Sequence, residues 1–209
     1  MPKQKKGIFI VLEGIEGSGK TTQAKLLTQR LRKEGLEVVS TREPGGTLVG
    51  KKIRNILKDP NHTITPLAEL FLFLADRAQH IVEVIQTALQ EGKIVISDRF
   101  YPSTLAYQQG GRELDPSWVK KLNDLLIRNC KPDLVIILER DIRQALKGAQ
   151  QVSGEEDRFE QEDLTFHQKV RQVYRELAKE NPRVFRLIKA DLPIQEVHKK
   201  IWREVKEIL

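Results

Sequence analysis

VLEGIEGSGKTTQ, Val11 to Gln23, is the stretch on which the reading of this chain turns. Gly14 is followed, after four residues, by Gly19-Lys20-Thr21, the spacing of a phosphate-binding P-loop. Glycines let backbone N–H groups turn inward around phosphate oxygens, and a helix that follows adds its positive end. Lys20 is then expected to reach the terminal phosphates of a bound nucleotide, and the Thr21 hydroxyl to ligate Mg²⁺. The flanks fit. Gly7 to Glu13 is a continuous apolar run that reads as a buried strand, and TTQAKLLTQRLRKEG reads as a helix ending at Gly35.

The remaining sequence continues in strand–helix units, which predicts an α/β fold with a parallel sheet. Strands are expected over 35–43, 93–100, 132–139 and 183–190. Helices are expected over 47–58, 66–90 with Gly92 as its stop, about 117–129, and from Ile194 to the end. RDIRQALKGAQQVSGEEDRFE starts helical and loses its period around Gly148 to Glu156, as a mobile loop does; a long helix resumes from Phe159. Ligands of such sheets bind beyond the carboxyl ends of the strands. The P-loop, Arg42, Asp98-Arg99 and Ala190-Asp191 all fall at that edge.

With 209 residues, 39% of them apolar, the chain is read as one domain, 1–209. No apolar run approaches the roughly 18 residues of a membrane span, and the basic N-terminus leads straight into a strand, so no membrane role is expected. The single cysteine, Cys130, suits a reducing cytosol, and a cytoplasmic location is expected. His62, His80, His167 and His198 lack metal-ligand spacing and are read as surface or structural. A net charge of +7 without a helix-turn-helix, RNP or zinc-finger pattern points to small polyanions, not nucleic acid.

A P-loop alone allows a GTPase, a motor, a transporter ATPase or a small-molecule kinase; the N-K-x-D guanine motif is missing. Arg42, Arg77 and Arg99 each follow an apolar strand or lie on an apolar helix. A desolvated guanidinium needs an anion or a buried acceptor. A salt bridge accounts for any one of them, and three facing one rim fit a second, phosphorylated substrate.

EGIEGSGKTTQ, TREPGGT, DRAQH and DRFYPSTLAYQ, in this order and closed by IKAD, resemble the bacterial-type thymidylate kinase family over essentially the whole chain. The resemblance implies a nucleoside-monophosphate-kinase-like three-layer sandwich, a five-stranded parallel sheet with helices on both faces and a short mobile lid, about 147–158. It implies ATP + dTMP → ADP + dTDP with Mg²⁺, in a homodimer whose spare apolar residues on the 66–90 helix (Val82, Val84, Ile85, Leu89) could pack a twofold partner. Gly14, Ile15, Glu16, Gly17, Ser18, Gly19, Lys20, Thr21 and Thr22 would hold ATP's phosphates, with Ala190 and Asp191 beside adenine. Phe73 would stack on thymine and Arg77, four residues on, would bond a base carbonyl. Arg42 and Arg99 would clamp the acceptor phosphate, and Asp98 with Thr21 would position the metal. Glu16 would accept the sugar 3′-hydroxyl, Thr104 and Gln108 would line the base and sugar, and Tyr107 would fill the space of a ribose 2′-hydroxyl.

The chain departs from the family at the lid. Some members carry an arginine where this chain has Gly17, and the bacterial form instead has lid arginines, where this chain has Gly148 and Gln150. Lys147 and Arg158 remain as the expected lid cations, with Arg140 and Arg143 read as lying too far back to reach. A non-catalytic relative with a degenerate lid, or a kinase for another nucleotide such as dUMP, shares much of this motif set.

Overall fold

The structure, a computed structural model, describes residues 7–153 and 158–209, with backbone alone at 151–153. The apolar run before the P-loop forms β1 (Ile8–Glu13), and α1 (Lys20–Lys33) leaves the loop directly. β2 (Val38–Arg42) and α2 (Leu48–Lys58) follow, the latter capped by the Thr47 hydroxyl, which accepts from Gly50 N. α3 (Pro66–His80) passes through a π-helical turn, Ile81–Ile85, into α4 (Gln86–Gln90), and β3 is Ile94–Asp98. A short α5 (Tyr101–Thr104) widens into a second π-helical segment, Leu105–Gly111, before α6 (Pro116–Ile127). β4 (Leu134–Glu139), α7 (Ile142–Ser153), α8 (Leu164–Glu180), β5 (Phe185–Lys189) and α9 (Ile194–Lys206) complete the order.

All five strands are parallel, in the order β2-β3-β1-β4-β5, as expected of the fold. β1 is central, so both of its faces are covered, which is why its sequence is apolar without alternation. Phe9, Val11, Val95, Val135 and Ile137 point to one layer, with Ile85, Ala88, Val170 and Tyr174. Ile10, Leu12, Ile96 and Ile136 point to the other, against Leu27 and Leu31 of α1 and Val197, Ile201 and Val205 of α9. Each such fully buried aliphatic side chain stabilises by roughly 1.5–3 kcal/mol. Register sets the functional edge: Asp98 lies opposite both Leu12 and Arg42, and Glu139 opposite Lys189. Chain winding reverses about β1, so a crevice opens beyond its carboxyl end.

Three expectations change. The helix after β4 does not stop at Gly148 but continues to Ser153. Its buried Ala145 and Ala149, four apart, share one face that lies against Gly17 of the P-loop, which holds the turn that the glycine weakens. Of the expected 147–158 lid, residues 154–157 lie outside the described residues. Second, the next helix begins at Leu164, not Phe159, because the Asp163 carboxylate accepts from Phe166 N at 2.7 Å and caps it there. Phe159 instead packs edge-on to Tyr107 and against Phe73. Third, the segment after Arg99, read only as a motif, is helical through Gly111.

Candidate active site

The crevice is a cleft of about 540 Å³ that reaches from the P-loop to the aromatic side chains of α3 and the second π-helical segment. At one end, the P-loop backbone takes left-handed conformations at Gly17 (φ 66°) and Gly19 (φ 94°), a region in which side-chain-bearing residues are strained. Lys20 Nζ donates to Gly14 O at 2.9 Å and Ile15 O at 2.7 Å, so the ammonium sits inside the loop. Thr21 Oγ1 donates to Asp98 Oδ2 at 2.5 Å, joining the first turn of α1 to the end of β3. Thr22, Ser18 and Ala190 also line the cleft, the last beside Leu192, Ile194 and Val197.

Burial, then the neighbouring Arg99 guanidinium, lowers the Lys20 pKa to about 8, against the pull of Asp98, Glu16 and Glu13. A polyanion at Nζ favours the ammonium and raises that value. Near pH 7 Lys20 is mostly charged already, whereas above pH 8 the free protein is mostly neutral there and must gain a proton on binding. Nucleotide affinity should therefore fall as pH rises through 8, with proton uptake larger at pH 9 than at pH 7. Calorimetry in buffers of different ionisation enthalpy measures this; equal uptake at both pH values, or the same increase in Lys20→Met, contradicts it.

The wall beside the P-loop is organised around Arg99, a non-glycine residue at φ 75°. Such a backbone costs of order 1–3 kcal/mol and persists where its surroundings hold it. Here the buried Glu13 carboxylate accepts from Phe100 N at 2.8 Å, from Ser103 Oγ at 2.7 Å and from Tyr174 OH at 2.8 Å, pinning the turn after Arg99. Burial raises the Glu13 pKa against these bonds and the nearby Arg99 charge. Arg99 Nη2 in turn donates to Glu16 Oε1 at 2.6 Å and Tyr107 OH at 3.1 Å. The Tyr107 hydroxyl donates to the same carboxylate at 2.7 Å. Burial pushes Glu16 up, but Arg99, Lys20 and Tyr107 together hold its carboxyl below the ordinary value. Arg42, Phe73, Thr104, Tyr107 and Gln108 line the same cleft.

Not every expected residue faces the cleft. Arg77 is only 1% exposed and is not among the lining side chains. Its Nε donates to Glu43 Oε2 at 2.9 Å, and its Nη1 to Thr104 Oγ1 and Asn123 Oδ1, both at 2.8 Å. His80 Nδ1 meets the other Glu43 oxygen at 2.9 Å. The salt bridge that could explain a single arginine is thus present at this one. Breaking a buried pair strands the other charge, so Arg77→Met should destabilise the fold by about 3 kcal/mol in denaturant unfolding. A loss within 1 kcal/mol would mean that His80 alone suffices for Glu43.

Arg158 is also elsewhere: its Nη2 lies 2.6 Å from the buried Glu69 carboxylate and its Nε donates to Leu57 O at 3.1 Å. Glu69 also receives Gln108 Nε2 at 2.8 Å and Arg112. Lys147 is exposed on α7 and does not line the cleft, and Asp191, outside the lining too, accepts from Asp141 N at 3.1 Å. The cation that does reach the P-loop is Arg140, just beyond β4, whose Nη1 donates to Gly17 O at 3.0 Å. It was read as out of reach, yet the signal was present: a charged residue directly after an apolar strand, the same placement that singles out Asp98 and Arg99. Glu13, Glu43 and Glu69 carried no such signal, since their partners lie far away in sequence.

Comparison with known proteins agrees with this geometry. The family profile described as thymidylate kinase matches residues 12–201. The chain is 48% identical to the thymidylate kinase of Halothermothrix orenii over 206 residues, 98% of this chain and 99% of that protein. It is also 48% identical to that of Syntrophotalea carbinolica, over 93% of each chain. The crystal structure of thymidylate kinase from Ehrlichia chaffeensis superimposes with a TM-score of 0.80 at 36% identity, covering 96% of this chain and 99% of that one. With a P-loop whose Glu16 is bonded to Arg99 and Tyr107 in one cleft, this chain belongs to the thymidylate kinase family.

Proposed function

We propose that this protein transfers the terminal phosphoryl group of ATP to dTMP, giving ADP and dTDP. The observation that carries this is a single cleft that brings Lys20 and Arg140 at the P-loop together with Arg42 and Arg99 at the carboxyl ends of β2 and β3. The two nucleotides meet phosphate to phosphate, where catalysis is alignment plus neutralisation of charge. The acceptor phosphate is itself the nucleophile, so no strong base is needed.

On this reading the loop from Gly14 to Thr22 holds the donor phosphates, and Ala190 with Leu192, Ile194 and Val197 flanks adenine. Asp191 braces that corner through Asp141. Thr21 and Asp98 present hard oxygen atoms side by side, and these residues would hold a Mg²⁺ ion that accompanies ATP. Among the described residues no cluster of three or more His, Cys, Asp or Glu could hold a metal alone, in keeping with such shared ligation. When bound, Mg²⁺ neutralises charge on the phosphate oxygens. Arg42 and Arg99 clamp the acceptor phosphate, and Glu16 accepts the sugar 3′-hydroxyl. Phe73 stacks on the base, Thr104 and Gln108 line it, and Tyr107 occupies the 2′ position. Arg77, buried behind the cleft, acts on the base only through Thr104, whose hydroxyl it holds at 2.8 Å.

Helix α7 acts as the lid, and Arg140 at its base supplies the charge expected of Lys147 and Arg158. That favours a working enzyme over a decayed relative. The outer face of α3 and of the π-helical turn after it leaves Leu67, Phe71 and Val82 exposed, a stripe suited to a second copy, whereas Ile85 is in the core. Among the described residues no helix is long and apolar enough to cross a membrane, and the buried free thiol of Cys130 fits a cytosolic setting. A coupled ADP-release assay with ATP, Mg²⁺ and a panel of monophosphates tests the function. Release with dTMP should exceed that with dUMP, dCMP and dAMP; no acceptor-dependent release overturns the reading.

A further inference from the structure

His167 lies in the first turn of α8, on the stripe that buries Val170 and Tyr174. It has no exposed surface, and neither ring nitrogen has a hydrogen-bond partner among the described residues. Buried polar groups are rarely left so, and each exception calls for a partner that comes from elsewhere. Phe166 packs edge-on against the ring at 5.4 Å, which leaves it little freedom, and the Phe159 backbone lies close enough to favour the protonated ring. The charged groups that face it are Glu16, with Oε2 at 3.9 Å from Nδ1, and more distantly Glu162 and Asp163. Asp163 already caps α8 and Glu162 pairs with Arg112 at 2.5 Å. Glu16 is the group within reach.

Glu16 takes its shortest bond, 2.6 Å, from Arg99. The proposed reaction asks Arg99 to turn to the acceptor phosphate, which removes that donor just when Glu16 must hold still for the sugar. We propose that His167 is a positioning residue for Glu16: its imidazole N–H takes over the carboxylate as Arg99 leaves it, keeping Glu16 aimed at the acceptor's 3′-hydroxyl. The ring is suited to this. Burial lowers its pKa, so that near pH 7 it is a neutral imidazole with one N–H to give. The gap of 3.9 Å is about one ångström beyond a normal N–H···O bond, a distance that a side-chain adjustment covers.

The inference rests on reading Glu16 as the hydroxyl acceptor, and the test separates the two by using dTMP beside 3′-deoxythymidine monophosphate. The wild-type protein should prefer dTMP in kcat/KM; a ratio near one removes the Glu16 reading and this inference with it. With that preference present, His167→Phe should raise KM for dTMP about tenfold, the loss of one hydrogen bond to a charged group. KM for ATP should stay unchanged, and KM for the 3′-deoxy analogue should change less than about twofold. His167→Asn, which keeps an N–H near the Nδ1 position, should restore most of the dTMP affinity. An equal penalty on both acceptors, or none on dTMP, overturns the role of His167 alone. Nitrogen-15 histidine spectra of the wild-type protein give an answer independent of how the variants fold. Adding dTMP should produce a slowly exchanging His167 ring N–H signal, and its absence in the saturated complex also overturns the proposal.

Discussion

Lys20→Ala is expected to lower the turnover number about a thousandfold while leaving dTMP affinity within a few-fold of wild type. The size follows from where the charge sits. Nζ is held by two loop carbonyls, and on the proposed reading it stands beside the transferred phosphoryl group, where charge develops. One such cation contributes roughly 3–4 kcal/mol at a transition state, several times what an exposed ion pair contributes to stability. The acceptor wall does not use Lys20: Arg42, Arg99, Phe73 and Tyr107 stand without it, although Glu16 loses one of the charges that depress its pKa. Steady-state kinetics with saturating ATP and dTMP gives the first quantity, and calorimetric titration with dTMP gives the second. Turnover within tenfold of wild type would take Lys20 out of the chemistry. A parallel collapse of dTMP binding would show that the loop itself had lost its shape.

What the sequence made legible was what is local. The P-loop is a contiguous pattern, and its glycines, Lys20 and Thr21 are needed at fixed offsets, so reading them requires no tertiary structure. The strands were visible because a parallel sheet covered on both faces demands unbroken apolar runs. The edge followed from those strands, and with it Arg42, Asp98 and Arg99. Long-range pairings were not legible. Arg77 and Glu43 are 34 residues apart, so nothing near Arg77 says whether its charge serves a ligand or a buried carboxylate. Likewise Glu13 meets Tyr174 across 161 residues and holds Arg99 in a backbone conformation that its own neighbours do not encode. Sequence position alone puts Arg158 at the end of the 147–158 lid; it packs on Glu69, 89 positions earlier, which only the fold brings near. At α7, the glycine and polar residues around Gly148 resembled a loop, and packing against the P-loop overrode that local preference.

Gly17→Ala is expected to reduce turnover by roughly one hundredfold with little change in KM for ATP, the second large effect. A Cβ at residue 17 would stand 1.8 Å from Ala145 O and 3.0 Å from Ala149 N, both backbone atoms of α7. Neither can yield as the tip of a side chain would, so α7 must withdraw. The positive φ of 66° adds a strain of about 1 kcal/mol, which is the smaller effect. The methyl group points toward α7, away from the loop's interior, so the amides that cradle phosphate keep their arrangement. What is lost is the approach of α7, and with it Arg140, whose guanidinium is bonded to Gly17 O. The glycine therefore does more than shape the loop: it is the seat on which α7 rests, and an arginine at this position could not share that seat with the helix as it lies here. Amide hydrogen exchange over Ile142–Ala149 should speed up in the variant while exchange in β1 and α1 stays as in wild type. Kinetics unchanged from wild type, together with unchanged exchange in α7, would mean that α7 leaves Gly17 before phosphoryl transfer and that the donor phosphates are neutralised by other groups.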